Sequence, residues 1–81
     1  MKRITEGNDS WIELDRNEII IGFVDMCVTA LSRYLQLPAG NIVKLLSEKN
    51  LLEGYIVKEY DMLHIESMGN IIDKIMRRLN I

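Results

Sequence analysis

The sequence is short of the residues that usually announce chemistry. Its 81 residues include one cysteine, one histidine, one proline, one tryptophan and one phenylalanine. A single cysteine, Cys27, excludes an internal disulfide and any zinc site built on several thiolates. A single histidine, His64, leaves no histidine pair, and no nucleophile or metal-ligand set is grouped with it in the pattern that catalysis needs. No Gly-rich phosphate loop or other cofactor motif is present, so the expectation is a protein without enzymatic activity, metal or cofactor. No apolar run approaches the length that spans a bilayer, and Met1-Lys2-Arg3-Ile4-Thr5-Glu6-Gly7 lacks the apolar stretch of a signal peptide. Residence in the cytoplasm is the corresponding expectation.

Charge of one sign is also missing. The net charge is −2, which gives no broad field to draw in a phosphate backbone. The first forty residues carry four Lys/Arg and six Asp/Glu, and the rest carry six of each. Neither half is a basic or acidic tail. Against these absences stands an apolar content of 48%, enough for one globular domain. A chain of this size buries only about 60–65% of its unfolded surface, so the core is modest.

The apolar residues recur with helical spacing. Ile20, Phe23, Val24, Cys27, Leu31, Tyr34 and Leu35 repeat at intervals of three and four, predicting a long first helix over 15–36, with Ser10 as an alternative, earlier cap. Glu13, Asp15 and Glu18 place negative charge at its start, where the helix dipole favours it. Ile19, Ile21, Met26, Val28 and Ala30 widen the apolar surface, leaving Gly22, Asp25, Thr29, Ser32, Arg33 and Gln36 as a narrow polar stripe. A helix this apolar around its girth is either wrapped by the rest of the fold or covered by another chain. Within the same pattern, Cys27 reads as a buried, inert thiol.

Pro38 closes this helix and suits the first turn of the next. The second helix runs to about Lys49 with Ile42, Val43, Leu45 and Leu46 inward, and Asn50 is a candidate left-handed terminator. Leu51 opens a shorter third helix with Leu52, Tyr55 and Ile56. Ser67 caps a last helix whose buried stripe is Ile71, Ile72, Ile75, Met76 and Leu79, with Lys74, Arg77 and Arg78 complementing its dipole. The expectation is all-α: a small bundle of four helices forming one domain over residues 11–81, behind a polar lead-in of residues 1–10. Trp11 either staples that lead-in onto the domain or serves as an exposed interaction anchor.

The segment Tyr60-Asp61-Met62-Leu63-His64 lies between the third and last helices. As a structural element, Asp61 would accept backbone amides as Asx turns do, and His64 would satisfy a carbonyl or carboxylate while packing its ring. Together they would fix the angle between the two helices. As a binding element, Tyr60, Asp61, Leu63 and His64 would face a partner.

This pentapeptide, followed by Ser67 and Ile71-Ile72-Asp73-Lys74-Ile75, resembles a family of short uncharacterised bacterial helical proteins with a Tyr-Asp-apolar-Leu-His core. The likeness covers about residues 18 to 79. It departs after the histidine, where Ile65-Glu66 stands in place of the family's frequent Thr-Gln. The resemblance implies no established activity. It implies a protein encoded beside a predicted ADP-ribosyltransferase-like protein, in an arrangement similar to toxin–antitoxin pairs, and hence a binding partner.

Two further readings compete. Residues 30–52 can be aligned with a helix-turn-helix whose recognition helix is 42–49, but Glu48 lies among Asn41, Lys44, Ser47 and Lys49, and no Arg is present. Met26, Met62, Met68 and Met76 could form an adaptable binding surface, although methionine at helical spacing is more commonly core filling. The leading expectation is an interaction domain that presents an apolar helical face to a protein partner or a second copy. A DNA-binding regulator is the alternative.

Overall fold

The computed structural model describes residues 15–80. Helix α1 spans Arg16–Leu35, α2 Ala39–Glu48, α3 Tyr60–Leu63 and α4 Met68–Leu79, with a π-helical segment, Leu52–Val57, between α2 and α3. The fold is all-α, and the described residues contain no strand. The lead-in over residues 1–10 and the position of Trp11 lie outside the described residues.

Helix boundaries follow local side-chain chemistry. Asp15 caps α1 by accepting the Asn17 amide at 3.0 Å, while Glu18 reaches back to the Asp15 amide at 3.2 Å. This reciprocal box satisfies orphan donors of the first turn. Ser67 caps α4 by accepting the Asn70 amide, as its position before the apolar stripe predicts. Asn50 takes the left-handed conformation expected of it, with φ 54°. The Leu51 amide then bonds to the Leu46 carbonyl at 2.7 Å, the closure of a Schellman motif. Gln36 ends α1 in the same way, at φ 57°, with the Leu37 amide on the Ser32 carbonyl at 3.1 Å.

The expected third helix divides into the π-helical segment and the single turn of α3. The Ile56 amide bonds to the Leu51 carbonyl at 2.9 Å, one residue further back than an α-helix allows. Gly54 makes room for this register. A Cβ built there would lie 2.7 Å from Asn50 Nδ2.

The core is one cluster centred on the inner face of α1. Cys27 and Leu31 are fully buried with Ile42, Leu46, Ile56, Ile71 and Ile75. Each such aliphatic side chain contributes about 1.5–3 kcal/mol by leaving water. Helix α1 packs against α2, α4 and the π-helical segment. Arg78 of α4 lies over the Tyr55 ring, 3.8 Å from its centroid, a cation–π contact that ties α4 to the π-helical segment. Val43, expected inward, is exposed, because α2 is covered only along the Ile42–Leu46 line. Tyr34, part of the inner pattern by spacing, is 68% exposed.

Caps and core are expected to differ in cost. Asp15→Ala and Ser67→Ala should each lose about 1 kcal/mol, whereas Ile75→Ala should lose about 2–5 kcal/mol. Urea unfolding followed by circular dichroism measures all three.

Candidate functional site

The pentapeptide forms α3 and the residue after it. Tyr60 and His64 are four residues apart and share one helix face. Their rings stack at 4.6 Å with an interplanar angle of 14°. Phe23 of α1 meets the Tyr60 ring edge-on, with centroids 5.2 Å apart at 80°, one of the favoured aromatic arrangements. Arg16, at the start of α1, lies 5.6 Å from the Tyr60 centroid and donates to Asp61 Oδ1 at 2.9 Å. Leu63 points into the core, and Met62 points out.

Tyr60, Asp61, Leu63 and His64 therefore form a clasp that holds α3 against the first half of α1. The expected Asx turn is replaced. Asp61 sits in the first turn of α3 and its carboxylate turns to Arg16. His64 packs by stacking on Tyr60. The turn between α3 and α4 is tied to α4 by the Lys74 ammonium donating to the Glu66 carboxylate. The Arg16–Asp61 pair is largely exposed on both sides and contributes about 0–1 kcal/mol. The aromatic contacts carry more of the clasp.

Cys27 is sealed in the core. Burial pushes its thiol up to about 11, which suppresses the thiolate that nucleophilic chemistry requires. Among the described residues, no group of three or more His, Cys, Asp or Glu is placed to hold a metal ion. No described helix is long and apolar enough to cross a membrane.

Two of the clefts among the described residues run along α1. A cleft of about 500 Å³ is lined by Ile19, Gly22 and Met26 of α1, by Tyr60 and His64, and by Met68 of α4. A second, of about 460 Å³, is lined by Ala30 and Tyr34 of α1 and by Met68, Ile72 and Met76 of α4. The two share Met68 and lie one after the other along α1, and together they are referred to as the groove. Met26 is 58% exposed, and Met68 and Met76 are half-buried. Met68 and Met76 pack against the core cluster, as core filling expects, whereas Met26 does not. Charged residues also line the two clefts, Glu18 and Glu66 in the first and Asp73 and Arg77, paired with each other at 3.0 Å, in the second.

Residues 22–80 match the model of DUF3791, a protein family of unknown function. The chain belongs to the DUF3791 family. The match covers nearly the stretch over which the sequence resembles an uncharacterised helical family. Neither the curated proteins nor the solved structures give a match. The region of this DUF3791 chain that matches includes the clasp and both walls of the groove, apart from Ile19 and the Arg16 end of the clasp.

The clasp and the thiol make separate predictions. Tyr60→Ala should cost about 1–3 kcal/mol, while Arg16→Ala and Asp61→Ala should each cost under about 1 kcal/mol, measured by denaturant titration. The Cys27 thiol loses its proton in the unfolded chain near its ordinary value of 9.0 and in the folded chain only near 11. Rising pH across that interval favours the unfolded state, so this contribution is intact below pH 9 and falls by about 2–3 kcal/mol towards pH 11. The stability advantage of the natural chain over Cys27→Ala should narrow over the same interval.

Proposed function

We propose that this chain is a non-enzymatic protein-interaction module whose working surface is the groove between α1 and α4. The observation that carries this reading is the contiguity of its apolar lining, from Ile19 and Met26 to Tyr34, Met68 and Met76. Two helices separated by an elongated apolar groove suit the apolar face of an amphipathic third helix, which inserts anchors at intervals of three and four residues. Methionine walls suit such a guest because the unbranched thioether adapts to its shape. The thiol supports the same reading, since it is enclosed by the core.

The resemblance adds a finer form of this proposal. In it the module is a bacterial, cytoplasmic, antitoxin-like protein, and the guest helix belongs to the neighbouring ADP-ribosyltransferase-like protein. A DNA-binding regulator has less support. The exposed surface of α2 and its end offers Lys44 and Lys49 beside Glu48, a poor match to the basic face that phosphate contacts require.

Met26→Glu tests the module. The side chain is mostly exposed, so the variant should keep its circular dichroism spectrum and melt within a few degrees of the natural chain. A charge in the groove should weaken binding of the purified ADP-ribosyltransferase-like neighbour by at least about tenfold, read by calorimetry. It should also reduce the fluorescence of a bound anilinonaphthalene sulfonate dye. Unchanged binding of both protein and dye would remove the groove from the reading.

A further inference from the structure

One ridge of the groove has a pattern that the fold of a single chain does not explain. Gly22, Met26, Ala30 and Tyr34 follow one another at four-residue intervals along α1, alternating small and large. All four line the groove. Glycine is the poorest helix former after proline, yet Gly22 sits inside a twenty-residue helix. Its backbone is not left-handed, and a Cβ built there would meet nothing within 4 Å. Among the described residues, neither conformation nor crowding calls for glycine there. The large members of the ridge are the exposed ones, Met26 at 58% and Tyr34 at 68%.

Read in reverse, the ridge fits itself. When two such ridges run antiparallel about the point midway between Met26 and Ala30, each large residue meets a small one. Tyr34 falls opposite Gly22, and Met26 falls opposite Ala30. Ridges of this four-residue type interdigitate in the commonest class of helix packing, and a self-complementary patch is what a two-fold dimer requires. The ridge runs for about 18 Å along the axis.

We propose that the occupant of the groove is α1 of a second copy of this chain, placed antiparallel so that Tyr34 of each copy lies against Gly22 of the other. This deepens the interaction-module reading and rests on it. The dimer buries the mixed small and large ridge of both copies and shields Met26, with Met68 and Met76 of α4 as the side wall.

Sedimentation velocity over about 5–200 μM should show the natural chain as a dimer. Gly22→Leu should keep the fold, since the space at that position is open, and should raise the dimer dissociation constant by at least about tenfold by blocking the partner's Tyr34. Combining Gly22→Leu with Tyr34→Ala exchanges the large and small positions and should restore the dimer. Restoration is the readout that a merely structural role for either residue would not give. A natural chain that stays monomeric over the whole range would overturn the proposal, as would a Gly22→Leu variant that dimerises unchanged. If the natural chain is monomeric while Met26→Glu loses the purified neighbour, the second copy is excluded and the module stands. If the natural chain is monomeric and Met26→Glu loses nothing, both fall.

Discussion

A helix of twenty residues is about 30 Å long, and in this chain it is apolar around most of its girth. The elements that follow are short, the longest being the twelve residues of α4. They gather on the side of α1 that carries Phe23, Cys27, Val28 and Leu31 and bury it well. The burial of that one face is the interaction on which the described fold depends, because α2, the π-helical segment and α4 all take their positions from it. The same geometry leaves the flank with Ile19, Met26 and Tyr34 in the open. Among the described residues the groove is thus a consequence of proportion: one long apolar helix and companions too short to close around it.

The clasp shows how a distinctive motif can be accounted for by packing. Each member of Tyr60-Asp61-Met62-Leu63-His64 except Met62 has a structural task. Tyr60 offers its edge-and-face geometry to Phe23, Leu63 fills the core, Asp61 meets Arg16, and His64 extends the stack. A one-turn helix has too few backbone bonds to hold its own place, since helix nucleation is costly and its reward comes only with length. Side-chain contacts to α1 supply what the backbone cannot. The motif therefore marks how α3 is anchored, and its histidine needs no chemical role to be explained.

The parts of the fold that were legible in the sequence are those fixed by neighbouring residues. The 3.6-residue period of α1 and α4, the acidic start of α1 at Asp15, the Ser67 cap and the Asn50 terminator all act within one helical turn. The π-helical register was not legible, because it depends on Asn50 tucking its side chain against Gly54 after the turn has formed. The left-handed Gln36 has no glycine or asparagine to announce it. The clasp was visible as a motif, but its purpose was not: Tyr60 and Phe23 are far apart in sequence, and no local pattern says that they meet. Which methionines fill the core, Met68 and Met76 but not Met26, was not legible for a related reason. Spacing places Met26, Met68 and Met76 on helical faces, but which face is covered depends on where α4 crosses α1.

Exposed apolar residues are common on any protein and need no explanation when scattered. Ile21, Met62 and Ile65 are of that kind, standing apart on separate surfaces. The groove differs because its residues are contiguous, concave and lined by both helices that form it. A net charge of −2 provides little mutual repulsion to keep such surfaces apart. Water in an apolar groove is released when a helix fills it, and the gain grows with the area covered. A chain built this way favours association by the same hydrophobic effect that assembles its core. What decides the partner is shape, and on α1 the shape is set by the alternation of Gly22, Met26, Ala30 and Tyr34. A uniformly large ridge would hold any guest at a distance, whereas gaps at every second position admit only a guest with protrusions at the matching interval.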